Sequence, residues 1–136
     1  MQTLRYDITA QGVMVEVVTD QPPSQEWTAM MRYMVENAAR IRCVLVLNHG
    51  DSGPTATQRS ELKETLTHLQ PKLPVAILTD SRVARAVMTA ILWITGKHEE
   101  TGVFAGDELS KASKFLQLDE AAQEEVGATI RRLSDQ

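Results

Sequence analysis

The sequence predicts one α/β domain, in which a β-hairpin is followed by helices and strands that alternate around a mixed, mostly parallel sheet of four or five strands. Three observations support this fold class. The 136 residues are enough for a single packed core. Short apolar runs of strand length alternate with amphipathic helical segments. Strands that alternate with helices after residue 40 imply parallel pairing through right-handed crossovers.

The first predicted elements are two strands, a tight turn and a helix. Leu4 to Thr9 alternates apolar and polar side chains, and the β-branched run Val13 to Val18 follows Gln11-Gly12. This pattern predicts a β-hairpin. Ser24 is expected to cap a helix over about residues 24–40. The apolar side chains that recur there at helical spacing are Trp27, Met30, Met31, Met34, Val35 and Ala38.

Two buried strands and a second helix are predicted next. The continuous apolar run from Arg42 to Leu47 is too short for a helix, and it is typical of a strand covered on both faces. A segment dense in turn-forming residues leads to a helix over about residues 55–69. Val75 to Thr79 then predicts another buried strand.

The last third of the chain is predicted to be mainly helical. Asp80 or Ser81 is expected to cap a third helix, and residues 101–105 suit a short final strand. A fourth helix is predicted over residues 107–116. Asp119 is expected to open a fifth helix, so residues 117–136 form a C-terminal helical extension of a single domain that covers residues 1–136.

The composition argues against nucleic-acid binding and against a membrane-spanning segment. The net charge is −4, and the chain has only two Trp, two Tyr and two Phe, which makes it poorly suited to nucleic acid because phosphates require a basic face. No apolar run approaches the roughly 18 residues that cross a bilayer. With one cysteine and no signal-like apolar core at the N-terminus, the chain is expected to be cytoplasmic, with no membrane span.

Two turns at the predicted carboxyl ends of the strands carry the side chains best suited to binding or modification. Ligands of parallel sheets collect at this edge. Each turn brings an acid and hydroxyl groups to the start of a helix, where backbone N–H groups favour anions and phosphate. The first turn and helix start contribute Asp51, Ser52, Gly53, Thr55 and Arg59. The second loop contributes Asp80, Ser81, Arg82 and Arg85.

The same residues also suit a structural role, because Asp, Ser, Gly and Pro turn a chain and cap helices. Both interpretations stay open for each turn. Arg82 and Arg85 begin the third helix, where the helix dipole disfavours cations. This position favours binding of an acidic partner, or pairing with Asp80 or a phosphorylated Ser52, and a solvated helix face is the alternative.

The sequence favours a metal or catalytic site at these turns less than a binding or modification site. Asp51 and Asp80 could share Mg²⁺, but the sequence offers no evident third ligand. A Ser–His–acid set from Ser52, His49 and Asp80 lacks a nucleophile elbow, because Gly-Asp-Ser-Gly-Pro ends in Pro54 where that motif needs glycine. No dinucleotide or P-loop pattern occurs. We therefore expect no metal and no cofactor, and the sequence favours a non-catalytic role over an enzyme.

The order of elements, together with Asp51-Ser52-Gly53, resembles the STAS domain, the fold of bacterial anti-sigma factor antagonists and their SpoIIAA-like relatives. The resemblance covers about residues 1–117. In that family a partner kinase phosphorylates the serine before the glycine, which implies Ser52 as the phosphoacceptor. The family places its acid two residues before the acceptor and an apolar residue after the glycine, whereas this chain has Gly50 and Pro54 there.

The sequence thus predicts a non-catalytic regulatory or protein-interaction domain, switched by phosphorylation at the 50–55 turn. Its expected partner is a regulator or a kinase-like protein. The alternative is a small-molecule or anion-binding module of flavodoxin-like topology that uses the same loops. A homo-oligomer is compatible with the apolar stripe of the last helix, which consists of Val126, Ile130 and Leu133.

Overall fold

The computed structural model describes residues 3–49, 55–69, 73–95 and 99–135. These residues form a five-stranded sheet and five α-helices, with a short 3₁₀ helix, Ala38–Arg40, after the first of them. The strands are β1 (Leu4–Ile8), β2 (Val13–Val18), β3 (Cys43–Asn48), β4 (Val75–Thr79) and β5 (Thr101–Ala105). The helices are α1 (Ser24–Glu36), α2 (Ala56–Leu69), α3 (Arg82–Thr95), α4 (Leu109–Phe115) and α5 (Glu120–Ser134). The predicted α/β class and its mixed sheet are confirmed.

The strands lie side by side in the order in which they occur in the chain, β1-β2-β3-β4-β5. β1 is antiparallel to β2, and each later pair is parallel. Each parallel connection steps to the next strand in the same direction, so right-handed crossovers place α1, α2 and α3 on one face of the sheet. This order differs from the flavodoxin-like order 2-1-3-4-5. The flavodoxin-like topology in the second functional prediction is therefore wrong.

Each face of the sheet has its own apolar core. On the face of α1 and α2, buried side chains of the first three strands contact Trp27, Met30 and Met34 of α1. On the other face, β2, β3 and β4 contact α4 and α5, and Val126 and Leu133 of α5 are fully enclosed. Every residue of β2 is buried, because β2 is covered on both faces and paired on both edges.

Several helix ends differ from the sequence prediction. α1 begins at Ser24 and is preceded by Pro23, with no side-chain cap, so Ser24 is not the N-cap. The helix ends at Glu36 because the Asn37 side chain donates to the carbonyl oxygen of Tyr33 and the chain tightens into the 3₁₀ turn. α4 starts two residues later than predicted, after a turn in which the N–H of Glu108 donates to the carbonyl of Ala105.

Two other predicted caps are correct. The Oγ atom of Ser81 accepts a hydrogen bond from the N–H of Ala84 at 3.1 Å, which makes Ser81 the cap of α3. The Asp119 carboxylate accepts from the N–H of Ala122 at 2.7 Å and caps α5. Of the helices in the described part of the chain, none has both the length and the apolar character required to cross a bilayer.

Candidate functional site

The carboxyl ends of β3 and β4 form the edge of the sheet where the predicted site residues lie. Asn48 and Thr79 are partners in the register of β3 and β4, and Thr79 is in turn paired with Ala105 of β5. The segments that follow β3 and β4 therefore leave the sheet side by side and at the same level. We name the group His49, Thr55, Asp80, Arg82 and Arg85 the strand-end surface.

The residues of the first predicted turn are only partly within the described structure. Asp51, Ser52 and Gly53 lie outside the described residues. Thr55 immediately precedes α2, and Arg59 lies in α2. The described part of this turn therefore consists of His49, which follows β3, and the start of α2.

The start of α2 is held by a reciprocal pair of hydrogen bonds. The N–H of Gln58 donates to Oγ1 of Thr55 at 3.1 Å, and the N–H of Thr55 donates to Oε1 of Gln58 at 2.9 Å. This is a capping box. The Nε2 atom of Gln58 also donates to the carbonyl of Pro22 at 2.9 Å, which links α2 to the segment before α1. Thr55 therefore has a structural role, and the Thr-x-x-Gln spacing was the signal that could have identified Gln58.

The second predicted loop is also ordered by local hydrogen bonds. Thr79 is completely buried, and its Oγ1 accepts from the N–H of Ser81 at 3.3 Å. Because the Ser81 hydroxyl accepts from the N–H of Ala84, both hydroxyl groups contribute to the turn and to the helix cap. Of the residues predicted here, Asp80, Arg82 and Arg85 carry the charged groups.

Asp80 connects three strand ends. Its Oδ2 lies 3.8 Å from Nδ1 of His49, with the two side chains 62% and 44% exposed. A Cβ atom built on Gly106, just after β5, would overlap Oδ1 of Asp80, so the carboxylate lies directly against this glycine. The N–H of His49 donates to the carbonyl of Val18 at 2.8 Å, which fixes its backbone to β2. The sequence placed His49 beside Asp80 only in a disfavoured catalytic set and not among the binding residues, since their contact depends on strand order.

The two arginines differ in their surroundings. Arg82 is exposed at the first residue of α3, whereas Arg85 is partly buried. The pKa of Glu108 is lowered chiefly by the hydrogen bond with Lys111, then by the N–H of Ala105, and also by the nearby charge of Arg85. Glu108 accepts from Lys111 at 2.6 Å and from Ala105 at 2.7 Å. Arg85 thus lies beside an acidic neighbour, and Arg82 presents its charge to solvent.

The strand-end surface carries both signs of charge. Within the described ranges, no three His, Cys, Asp or Glu side chains are grouped closely enough to hold a metal ion. An exposed His–Asp pair flanked by arginines suits charge-paired recognition of another macromolecule, because such groups supply orientation and specificity at an interface. The geometry brings Asp80 together with His49, and it places Arg82 and Arg85 one and four residues past the cap of α3.

Known proteins give no assignment for this surface. Comparisons of the chain with protein-family models, with curated proteins and with solved structures found no match.

Proposed function

We propose that the chain is a non-catalytic regulatory domain of STAS-like fold that binds a protein partner in the cytoplasm through the strand-end surface. The observation that carries the proposal is the register pairing of Asn48 with Thr79. It brings the segments after β3 and β4 to one edge, and the His49–Asp80 contact joins them there. The STAS-like assignment is supported by a leading antiparallel strand followed by parallel strands in chain order.

Phosphorylation of Ser52 is the proposed switch. Ser52 is three residues after His49 and three residues before the cap Thr55. A phosphate adds about −1.5 to −2 charges and strong acceptor oxygens. Arg82 at the start of the neighbouring α3 supplies an exposed positive charge. Modification would therefore change the charge that the strand-end surface presents to its partner.

A binding experiment with matched variants tests this function. The partner is captured from the native host with the wild-type chain, identified, purified and titrated against Ser52→Ala, Ser52→Asp and Arg82→Ala. We expect Ser52→Ala to bind like the wild type, and Ser52→Asp and Arg82→Ala to bind at least about fivefold more weakly, a loss of roughly 1 kcal/mol. Arg82→Ala should also reduce the salt dependence of binding.

Arg32→Ala is the matched control, because Arg32 is an exposed arginine on α1, outside the strand-end surface. Circular dichroism shows whether each variant is folded. Equal affinities for wild type, Ser52→Asp and Arg82→Ala would remove both residues from the interface and contradict the proposal.

A further inference from the structure

Glu16 is a carboxylic acid in the interior of the protein. It lies in β2, which is buried along its whole length, and it is only 3% exposed. Its Oε1 atom is enclosed and has no hydrogen-bond partner. None of the ion pairs formed by the described side chains includes Glu16. The group is therefore buried without the compensation that a charged carboxylate requires.

Glu16 lies on a face of the sheet where the buried side chains are apolar. Its register partners are Tyr6 of β1 and Val46 of β3. They belong to the sheet face that α1 covers, where the buried α1 side chains are Trp27, Met30 and Met34, and where Leu62 of α2 is partly buried. Beside Tyr6 of β1, the titratable side chains described on α1 and α2 are Glu26, Arg32, Tyr33, Glu36, Glu61 and Glu64, of which Arg32, Glu36, Glu61 and Glu64 are exposed. Burial raises the pKa of Tyr6, and the charges of Tyr33, Glu16 and Glu26 raise it further.

An unpaired carboxylate in such surroundings favours its neutral form. Loss of hydration on burial raises the pKa of Glu16 to about 7, from an ordinary value of 4.5. The carboxyl group is thus protonated in the folded chain under mildly acidic conditions, and it becomes charged beneath α1 as the pH rises through 7.

We propose that Glu16 makes the packing of α1 on the sheet depend on pH: protonated Glu16 holds α1 in place, and ionised Glu16 loosens it. The hydrogen bond from Gln58 to the carbonyl of Pro22 connects the segment before α1 to the start of α2. Loosening therefore extends to the capping box at Thr55. An effect on partner binding would rest on the proposed function of the strand-end surface, whereas the pH response of α1 does not.

The direction of the stability change follows from the raised pKa. Between pH 4.5 and about 7 the folded chain keeps the proton on Glu16, while the unfolded chain has lost it. The unfolding equilibrium constant attributable to this group therefore rises about tenfold per pH unit in that window. Above pH 7 both states are ionised, and the loss of stability is complete.

Urea unfolding of the full chain at pH 5, 6, 7 and 8 provides the first test. The wild type is compared with Glu16→Gln and with Glu16→Met, which cannot ionise, and with Glu36→Gln as an exposed control at the end of α1. We expect the wild type and Glu36→Gln to lose stability from pH 5 to 7 relative to both Glu16 variants. If Glu16→Gln does not fold, Glu16→Met decides alone. Parallel pH profiles for the wild type and the folded Glu16 variant would overturn the proposal.

Hydrogen exchange shows which part of the chain loosens when Glu16 ionises. After correction for the intrinsic rate, amides of α1 and of residues 55–60 should exchange at least about tenfold faster at pH 8 than at pH 5.5 relative to amides of α5. Glu16→Met should remove this difference. Equal acceleration of α1 and α5 in the wild type would contradict a local loosening. Because neither measurement uses a partner, failure here leaves the proposed binding function untouched.

Discussion

Arg132 donates a 2.6 Å hydrogen bond from Nη2 to Oδ2 of Asp7, which joins α5 to the end of β1 across 125 positions of the sequence. A second contact holds the same helix, because Nη1 of Arg5 donates to the carbonyl of Leu133 at 3.0 Å. The Leu133 side chain itself is buried in the core beneath the sheet. The C-terminal helix is therefore packed into the same core as the strands.

Leu133→Ala should destabilise the chain by about 2–5 kcal/mol, because it removes buried methyl groups and leaves a cavity. The adjacent Ser134→Ala is the control, since Ser134 is exposed and surface changes rarely exceed about 0.5 kcal/mol. Urea unfolding followed by circular dichroism measures both. A loss below about 1 kcal/mol for Leu133→Ala would show that α5 contributes little to the core.

Asp7→Asn should lower stability at pH 6, and the effect should be smaller at pH 3. Burial opposes ionisation of Asp7, but the N–H of Ile8 and the Arg132 guanidinium outweigh it and hold the pKa of the carboxyl below its usual value. Its contribution is thus present above the ordinary pKa of aspartate and is lost as the pH falls through the lowered one. Because the side chains of Arg132 and Asp7 are 53% and 42% exposed, we expect an effect of about 0.2–1 kcal/mol.

The comparison of wild type and Asp7→Asn is made by urea unfolding at both pH values and at low and high salt. High salt should reduce the difference at pH 6, because it screens exposed charges. A difference that is the same at pH 3 as at pH 6 would contradict the ion-pair explanation. This pH dependence of stability is opposite to the one expected for Glu16, because the stabilising contribution of Glu16 is lost as the pH rises.

Gln58→Ala should destabilise the chain by about 1–2 kcal/mol, because it removes half of the capping box and the bond to Pro22. Thr55→Ala should cost about 0.5–2 kcal/mol through the loss of the cap alone. Ser60→Ala, at an exposed position of α2, is the control. Thermal unfolding ranks the three variants, and a Gln58→Ala variant as stable as Ser60→Ala would contradict the described network.

Gly106→Ala should displace the Asp80 side chain and separate it from His49, with a stability change within about 0.5 kcal/mol. The new methyl group would occupy the space of Oδ1 of Asp80. Asp80 is largely exposed and can rotate away, so the fold should be retained. A crystal structure of the variant shows the outcome directly, and an unchanged Asp80–His49 distance would contradict the prediction.

Local patterns in the sequence determined the secondary structure of this chain. Alternation in Leu4 to Ile8, the apolar runs of β3 and β4, and the caps Ser81 and Asp119 depend on residues within a few positions of one another. Such local signals fail where the same residues can adopt either of two local structures. At α1 the Pro23 backbone precedes the helix without a side-chain cap, and the helix ends early, at Glu36.

The candidate site was predicted only in part, because local signals do not show which distant residues meet. Asp80, Arg82 and Arg85 follow a strand and start a helix, and these are local features. The capping role of Thr55 could be predicted only together with its partner Gln58. The contact of Asp80 with His49 could be predicted only from the knowledge that β3 and β4 are neighbours.

Only the tertiary structure decided strand order, register and burial. The sequence shows which segments are strands, but a crossover can lead to either side of a strand without changing any periodic pattern. The Asn48–Thr79 pairing and the Asp7–Arg132 bond join distant positions. Glu16 illustrates the reason: a single acidic residue in a strand usually faces water, but this one lies on the sheet face that α1 covers and is buried there.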